Sequence, residues 1–260
     1  MDKRALYLVK VPFRLDGLVR IARQRGLPTR QLDEGYLAHA ILRELWQEAA
    51  PAPFDLRSNG RRTDAWGYSD QNAEQLRQHA ADFGDPSLLD AIESGIESIV
   101  SKPVPKFPAG KSVGFQVRLC PITRLANGRG GRRGREVDAY LARCWSRETD
   151  TEVSREQVYM EWLAERLTQE RSGARISRLS VESYTSERLV RRTQPGPDGG
   201  RTAHTLERPD VRMTGEVVVA DAERFRATLR RGIGRHRAFG FGMLLLVPPS
   251  NVTAGSTGHD

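Results

Sequence analysis

Tyr36, His39 and Arg43 fall three and four residues apart in the run YLAHAILREL. On a helix, at about 100° per residue, the three lie within about 60° of one another, while Leu37, Ile41 and Leu45 form an apolar stripe on the other side. A tyrosine, a histidine and an arginine thus share a face the core does not need. An imidazole, with a reference pKa of about 6.5, gives or takes a proton near neutrality. A guanidinium can hold a phosphate through its forked donors. By itself, though, a histidine among polar neighbours on a helix is most often a solvated surface residue. The remaining histidines, His79, His204, His236 and His259, have no paired spacing, and no carboxylate cluster resembles a metal site. No metal and no cofactor are expected.

The other chemistry-bearing side chains are arginines. Of 41 basic residues 36 are arginine, against 33 acidic ones, for a net charge of +8. Residues 1–110 hold 15 of each sign, so the entire excess lies beyond them. A polyanionic partner, most simply a polynucleotide, is expected, although a GC-rich genome also inflates arginine. The extended stretch Glu187–Arg212 carries Arg188, Arg191, Arg192, Arg201 and Arg208 about a PGPDGG turn. Such a ribbon can track the phosphates of an A-form helix. The loop NGRGGRRGR adds Arg129, Arg132, Arg133 and Arg135, either as an RNA contact or as a solvated run. Near the C-terminus, LRRGIGRHRAFGFGMLLL presents Arg235 and Arg237 among four glycines. This is no dinucleotide fingerprint, because it follows a helix and precedes a strand, and no GK[ST] makes a P-loop. RAFGFG approximates the stacking signature of RNA-recognition motifs, but Phe239 and Phe241 stand at the start of the last strand, where burial is the simpler fate.

These residues must be placed by a fold of alternating strands and helices. Strands are expected at Ala5–Phe13, at Pro53–Ser58 and Thr63–Ser69 joined across Asn59-Gly60, and at the edge, Glu97–Val104. Helices are expected at Leu32–Ala49, Gln71–Asp82 and from Leu88. After the proline-rich linker Lys102–Pro108 come a strand at Lys111–Arg124, a helix at Val153–Arg171, extended chain at Ala174–Arg192 and a strand at Val211–Ala220. A helix capped by Asp221 runs to Arg231, and a final buried strand spans Phe239–Val247. Each half reads β-α-β-β-α-β, so the class is α+β with two tandem ferredoxin-like domains, 1–108 and 109–248, and a disordered tail at 249–260. No apolar run approaches the roughly 18–20 residues that span a bilayer. The N-terminus has no signal-peptide core, and two cysteines make no disulfide scaffold, so a reducing cytoplasm is expected.

Several of these segments together resemble one family. LRRGIGRHRAFGFGMLLLVP is similar to the C-terminal glycine-rich loop of the CRISPR repeat-processing endoribonucleases of the CasE type, the crRNA-maturation subunit of the type I-E Cascade complex and a RAMP-superfamily member. ALYLVKV resembles that family's opening strand, FQVRLCPIT the segment opening its second domain, and MTGEVVVADAERFRATL its later strand and helix. Two departures stand out: Arg235-His236-Arg237 replaces Pro-x-Lys, and Cys120 replaces an asparagine. Residues Asp16–Arg30 form an insertion with no assigned role.

The resemblance implies a Tyr-x-x-His catalytic pair, hence Tyr36 and His39. RNA carries its own nucleophile, the 2′-OH. His39 would act as general acid to the 5′-oxygen or base to the 2′-OH, and Tyr36 would orient the 2′-OH or bind the phosphate. Products would be a 2′,3′-cyclic phosphate and a 5′-hydroxyl, formed without metal. Arg188, Arg191, Arg192, Arg201, Arg235 and Arg237 would hold the RNA; Arg43, read from its place on the helix face and not from the family, would add a phosphate contact. The implied partners are the CRISPR repeat stem-loop, retained as crRNA, and other Cascade subunits, above all the backbone subunit, with no membrane. The alternative is a non-catalytic RNA-binding subunit in which His39 is incidental; a general RNA-recognition-motif protein is a third reading.

Overall fold

Apolar residues alternate along β1 (Tyr7–Arg14), turning Val9, Val11 and Phe13 into one core. The computed structural model describes residues 5–27, 29, 32–125, 134–146, 153–192 and 203–249. The insertion folds as a helix, α1 (Leu15–Gln24), burying Leu18, Ile21 and Ala22. Its Gly17 sits so close to the chain at Ala91 that a β-carbon would stand 2.8 Å from the Ala91 Cα. Helix α2 (Glu34–Trp46) follows, shorter than the expected span, with a 3₁₀ turn at Gln47–Ala49. Asp33 caps it by accepting from the Tyr36 N–H at 2.8 Å. Strands β2 (Phe54–Asn59) and β3 (Arg62–Ser69) form the hairpin expected around Asn59-Gly60. Helix α3 (Ala73–Phe83), closed by an Asn72–Gln75 capping box, the short α4 (Pro86–Leu89) and edge strand β4 (Val100–Pro103) complete the half.

In the second half the expected strand Lys111–Arg124 is broken. Pro121 cannot donate to a ladder, so β5 (Ser112–Leu119) stops and β6 (Ile122–Arg124) pairs separately with β7 (Glu136–Asp138). After α5 (Ala139–Trp145), the single helix expected at Val153–Arg171 is two, α6 (Arg155–Ala164) and α7 (Gln169–Ser172), because Thr168 takes the extended conformation of an N-cap. Strands β8 (Ala174–Arg192) and β9 (Ala203–Val219) form a long, twice-bulged ribbon. Its PGPDGG turn lies outside the described residues, as do Arg201, the tail beyond 249 and Arg129, Arg132 and Arg133 of the basic loop. Helix α8 (Ala222–Arg231) is capped by Asp221 as expected.

The last strand is the largest correction. Gly240 and Gly242 both have φ of +82°, which no strand accommodates, so Arg237–Phe239 makes a 3₁₀ turn and β10 is only Leu244–Val247. Phe241 is nonetheless fully buried, while Phe239 is partly so.

The sheets run β2-β3-β1-β4 and β10-β5-β9-β8. All pairings are antiparallel, and in both sheets the first strand lies between the third and the fourth, which is the ferredoxin-like order. Residues 104–111 connect them. The two cores meet where Leu6 and Tyr68 of the first half join the cluster around Phe115, Trp162 and Phe225, and the buried Tyr68 hydroxyl donates to the Leu244 carbonyl at 2.7 Å. Among the described residues no helix is long and apolar enough to cross a membrane.

Candidate functional site

Leu37, Ala38, Ile41, Leu42 and Leu45 anchor α2 in the core, leaving Tyr36, His39 and Arg43 on the face opposite. That face is covered in part by the glycine loop between α8 and β10. The Tyr36 and Phe239 rings lie 6.3 Å apart between centroids, and Phe239 in turn lies 5.8 Å from the ring of His236. The imidazole of His39 stacks over Phe54 of β2, 6.4 Å away and within 8° of parallel. Phe54 is fully buried and Gly240 packs above it, so the tyrosine rests on a ring of the loop and the histidine on a ring that the loop touches.

Close approach makes this possible. A β-carbon on Gly35 would stand 2.7 Å from the Phe239 carbonyl carbon, closer still to its oxygen. At its far end the loop closes on itself: the Ile233 N–H donates to the Gly242 carbonyl at 2.8 Å, and the Gly242 N–H donates to the Arg118 carbonyl at 2.7 Å. The loop is therefore tied to β5 and packed on α2. It is the bridge between the sheet of one half and the helix that carries Tyr36 and His39 in the other.

Burial lowers the pKa of His39 below its usual value, and the positive charge of Arg43 lowers it further. At neutral pH the unliganded imidazole is uncharged and able to accept a proton. Arg43 donates to the Gln47 carbonyl at 2.7 Å and to Glu48 at 2.8 Å, so its guanidinium is engaged at the C-terminal end of α2 and acts on His39 through space.

Beside the N-terminal turn of α2 opens a polar cleft of about 580 Å³, lined by Gly35, Arg57, Gln116, Arg118, Glu187 and Arg212 among others; neither Tyr36 nor His39 lines it. Arg118 is buried on β5. It pairs with Asp210 through two bonds of 3.0 Å and with Glu187, and its guanidinium lies 4.3 Å from the Phe241 ring centroid. Across the cleft, the buried Asp55 lies 3.3 Å from Arg57 and 3.8 Å from Arg212, and Arg57 donates to Gln116 at 2.7 Å. Burial outweighs these arginines and raises the Asp55 pKa. Spacing had pointed to none of these residues. The available signal was Arg118 itself, a charge inside an alternating apolar strand, which when buried requires partners.

The arginines expected to grip RNA divide. Arg235 is bound to Glu136, whose carboxylate also lies 3.3 Å from His236 and 3.5 Å from Arg208. Burial lowers the His236 pKa despite Glu136. Arg237 is exposed and donates to the Arg231 carbonyl. Arg188 is exposed, 3.3 Å from an equally exposed Glu207. Arg191 and Arg192 extend the ribbon in register with His204 and Ala203, their side chains outside the described ones. The structure thus gathers Tyr36, His39 and Arg43, places Arg235 and Arg237 on the loop beside them, and sets Arg188 apart on the ribbon. Among the described residues no three His, Cys, Asp or Glu side chains gather as a metal site.

Tandem ferredoxin-like domains with a Tyr-His helix packed on a C-terminal glycine loop define a class of α+β protein. The sequence model of the family described as CRISPR associated protein matches residues 6–248, and the chain belongs to that family. Among solved structures, one of the CRISPR endoribonuclease Cse3 bound to a 19-nucleotide RNA is similar at a TM-score of 0.62 and 22% identity, over 94% of this chain and 100% of that one. Thermus thermophilus Cse3 bound to an RNA representing a pre-cleavage complex gives 0.57 and 20%, with the same coverage. A chain of a CRISPR RNA-guided surveillance complex, pre-nicking, gives 0.54 and 17%, again over 94% and 100%. These likenesses establish the fold. No curated protein matches the chain.

Proposed function

We propose that this chain is a CasE-type endoribonuclease that cuts CRISPR precursor RNA within its repeat, beside the stem-loop. The observation that carries the reading is the Tyr36–His39 face of α2, held half-buried against the glycine loop. In the reaction the 2′-oxygen bonds to the adjacent phosphorus, the bond from phosphorus to the 5′-oxygen breaks, and one proton passes from the 2′-OH to the departing oxygen. The lowered pKa of His39 favours the role of base, because the neutral imidazole is the form that takes the 2′-OH proton. Tyr36 would orient the 2′-OH or donate to the phosphate. The N-terminal domain, residues 1–108, would carry the reactive helix, and 109–248 the RNA grip. The similar Cse3 structure is bound to RNA and the surveillance complex is RNA-guided, which supports repeat RNA and a Cascade assembly in the cytoplasm as the partners and setting here.

The test is cleavage of the cognate repeat RNA by the wild type and by His39→Ala. The substitution should slow cleavage by ~10²–10⁴-fold while binding persists. The products should carry 2′,3′-cyclic phosphate and 5′-hydroxyl ends, and EDTA should leave the rate unchanged. Equal rates in wild type and variant would make the chain a non-catalytic RNA-binding subunit. A requirement for a divalent ion would overturn the mechanism.

A further inference from the structure

Between α7, the end of α8 and the glycine loop lies a second cleft, of about 530 Å³, lined by Arg166, Glu170, Arg171, Arg231, Gly232, Ile233, Gly234 and Arg237. Four arginines face one glutamate. Elsewhere in the molecule arginines meet carboxylates, as at Arg118, Arg155 and Arg235. Here, among the described residues, the guanidinium groups are held mostly by backbone carbonyls: Arg166 by Trp162 at 2.7 Å, Arg171 by Glu165 at 3.2 Å, Arg231 by Arg171 at 3.3 Å and Arg237 by Arg231. Of the four, only Arg166 forms an ion pair among the described residues, with Glu165 at 3.5 Å, and it also stacks on Trp162, 3.7 Å from the ring centroid. A carbonyl orients a guanidinium without neutralising it, so positive charge stays in excess over Glu165 and Glu170, preorganised and with donors left for an anion. Arg171 already works against Arg166, whose pKa is lowered by burial and by that neighbour.

We propose that Arg166, Arg171, Arg231 and Arg237 form a binding site for consecutive phosphates of an RNA backbone. This rests on the reading of the protein as RNA-binding and names a part of the grip that the ribbon arginines do not supply. Position favours RNA over a free anion. Arg237 opens the 3₁₀ turn whose Phe239 packs on Tyr36, so a strand leaving the reactive helix need cross only that turn to reach the cleft. The clustered forks suit a phosphodiester chain, and a contact of this kind positions the strand without reading its sequence.

The probe is a ten-nucleotide oligouridylate, titrated at several salt concentrations against the wild type, Arg171→Gln/Arg231→Gln and Arg171→Lys/Arg231→Lys. Both side chains are exposed, so either pair should fold. The glutamine pair should weaken binding roughly tenfold or more and flatten the slope of log affinity against log salt by about 1.5, near 0.7–0.9 per lost phosphate contact. The lysine pair should keep the slope. Equal binding by the wild type and the glutamine pair, including none by either, overturns the site. So does loss of the slope in the lysine pair. Cleavage of repeat RNA by the wild type, measured in parallel, shows whether the endonuclease reading stands independently of that result.

Discussion

Arg43 stands one helical turn beyond His39, and its charge disfavours the imidazolium. Truncating it to alanine removes one of the two causes of the lowered pKa and leaves the burial over Phe54, so the His39 pKa should rise without fully regaining the usual value. If His39 is the base, the acid limb of log kcat/KM against pH moves to higher pH in Arg43→Ala. Titration of the His39 ring by NMR should move the same way. Phosphates of bound RNA favour the charged imidazole, so the acid limb of kcat, which reports the complex, should lie at higher pH than that of kcat/KM. An acid limb that stays in place while the NMR titration shifts would assign the limb to another group.

The contact between α2 and the glycine loop belongs to elements rather than to single residues. Gly35→Ala puts a methyl group into the Phe239 carbonyl, and backbone on both sides leaves nothing flexible to yield. Alanine favours the helix, but overpacking of this kind costs about 1–3 kcal/mol, and the cheaper response is for α2 to slide off the loop. A displacement of about 1 Å at the reacting groups can cost ~10²-fold in rate. The expected outcome is a folded protein of modestly lower melting temperature whose cleavage rate falls by that order; full activity would show that the loop does not position the helix.

The face carrying Tyr36, His39 and Arg43 was legible in the sequence because a helical period of apolar residues defines its opposite. The aromatic floor beneath His39 was not, since Phe54 reaches it from a separate element, β2. The loop was readable as glycine-rich and basic, but not as a loop up to Gly242: apolar Phe239, Phe241 and Met243 alternate as in a strand, and only the positive φ of two glycines ends the pattern. The helix at Leu15–Gln24 was missed for a related reason. Its packing depends on the close approach of Gly17 to Ala91, far along the chain, which no local pattern announces.

Across the whole molecule, the two sheets are joined by charge as well as by apolar packing, Asp55 of β2 lying 3.8 Å from Arg212 of β9, and Arg118 of β5 gathers the acids around that junction. It holds Asp210 of β9 and Glu187 of β8, faces the buried Asp55 of β2 across the cleft, stacks on Phe241 and offers its carbonyl to Gly242. Arg118→Met keeps the stem and the ring contact but takes the cation away from Asp210 and Glu187, while Asp55 keeps Arg57 and Arg212. Removing one partner of a buried ion pair costs about 3–5 kcal/mol. The exposed Arg188–Glu207 pair should yield no more than about 1 kcal/mol on Arg188→Ala.

The pH dependence separates lost charge from lost packing. Orphaned carboxylates in the folded variant have raised pKa values, as burial already raises those of Asp55 and Glu187. The folded variant then binds more protons than its unfolded chain as pH falls toward the ordinary carboxylate range, so acid favours folding and the deficit shrinks. Denaturant unfolding at pH 7 and near pH 5 should show a large loss for Arg118→Met at the first and a smaller one at the second. A deficit independent of pH would mean that Arg118 stabilises the junction by packing on Phe241 and not by neutralising the acids around it.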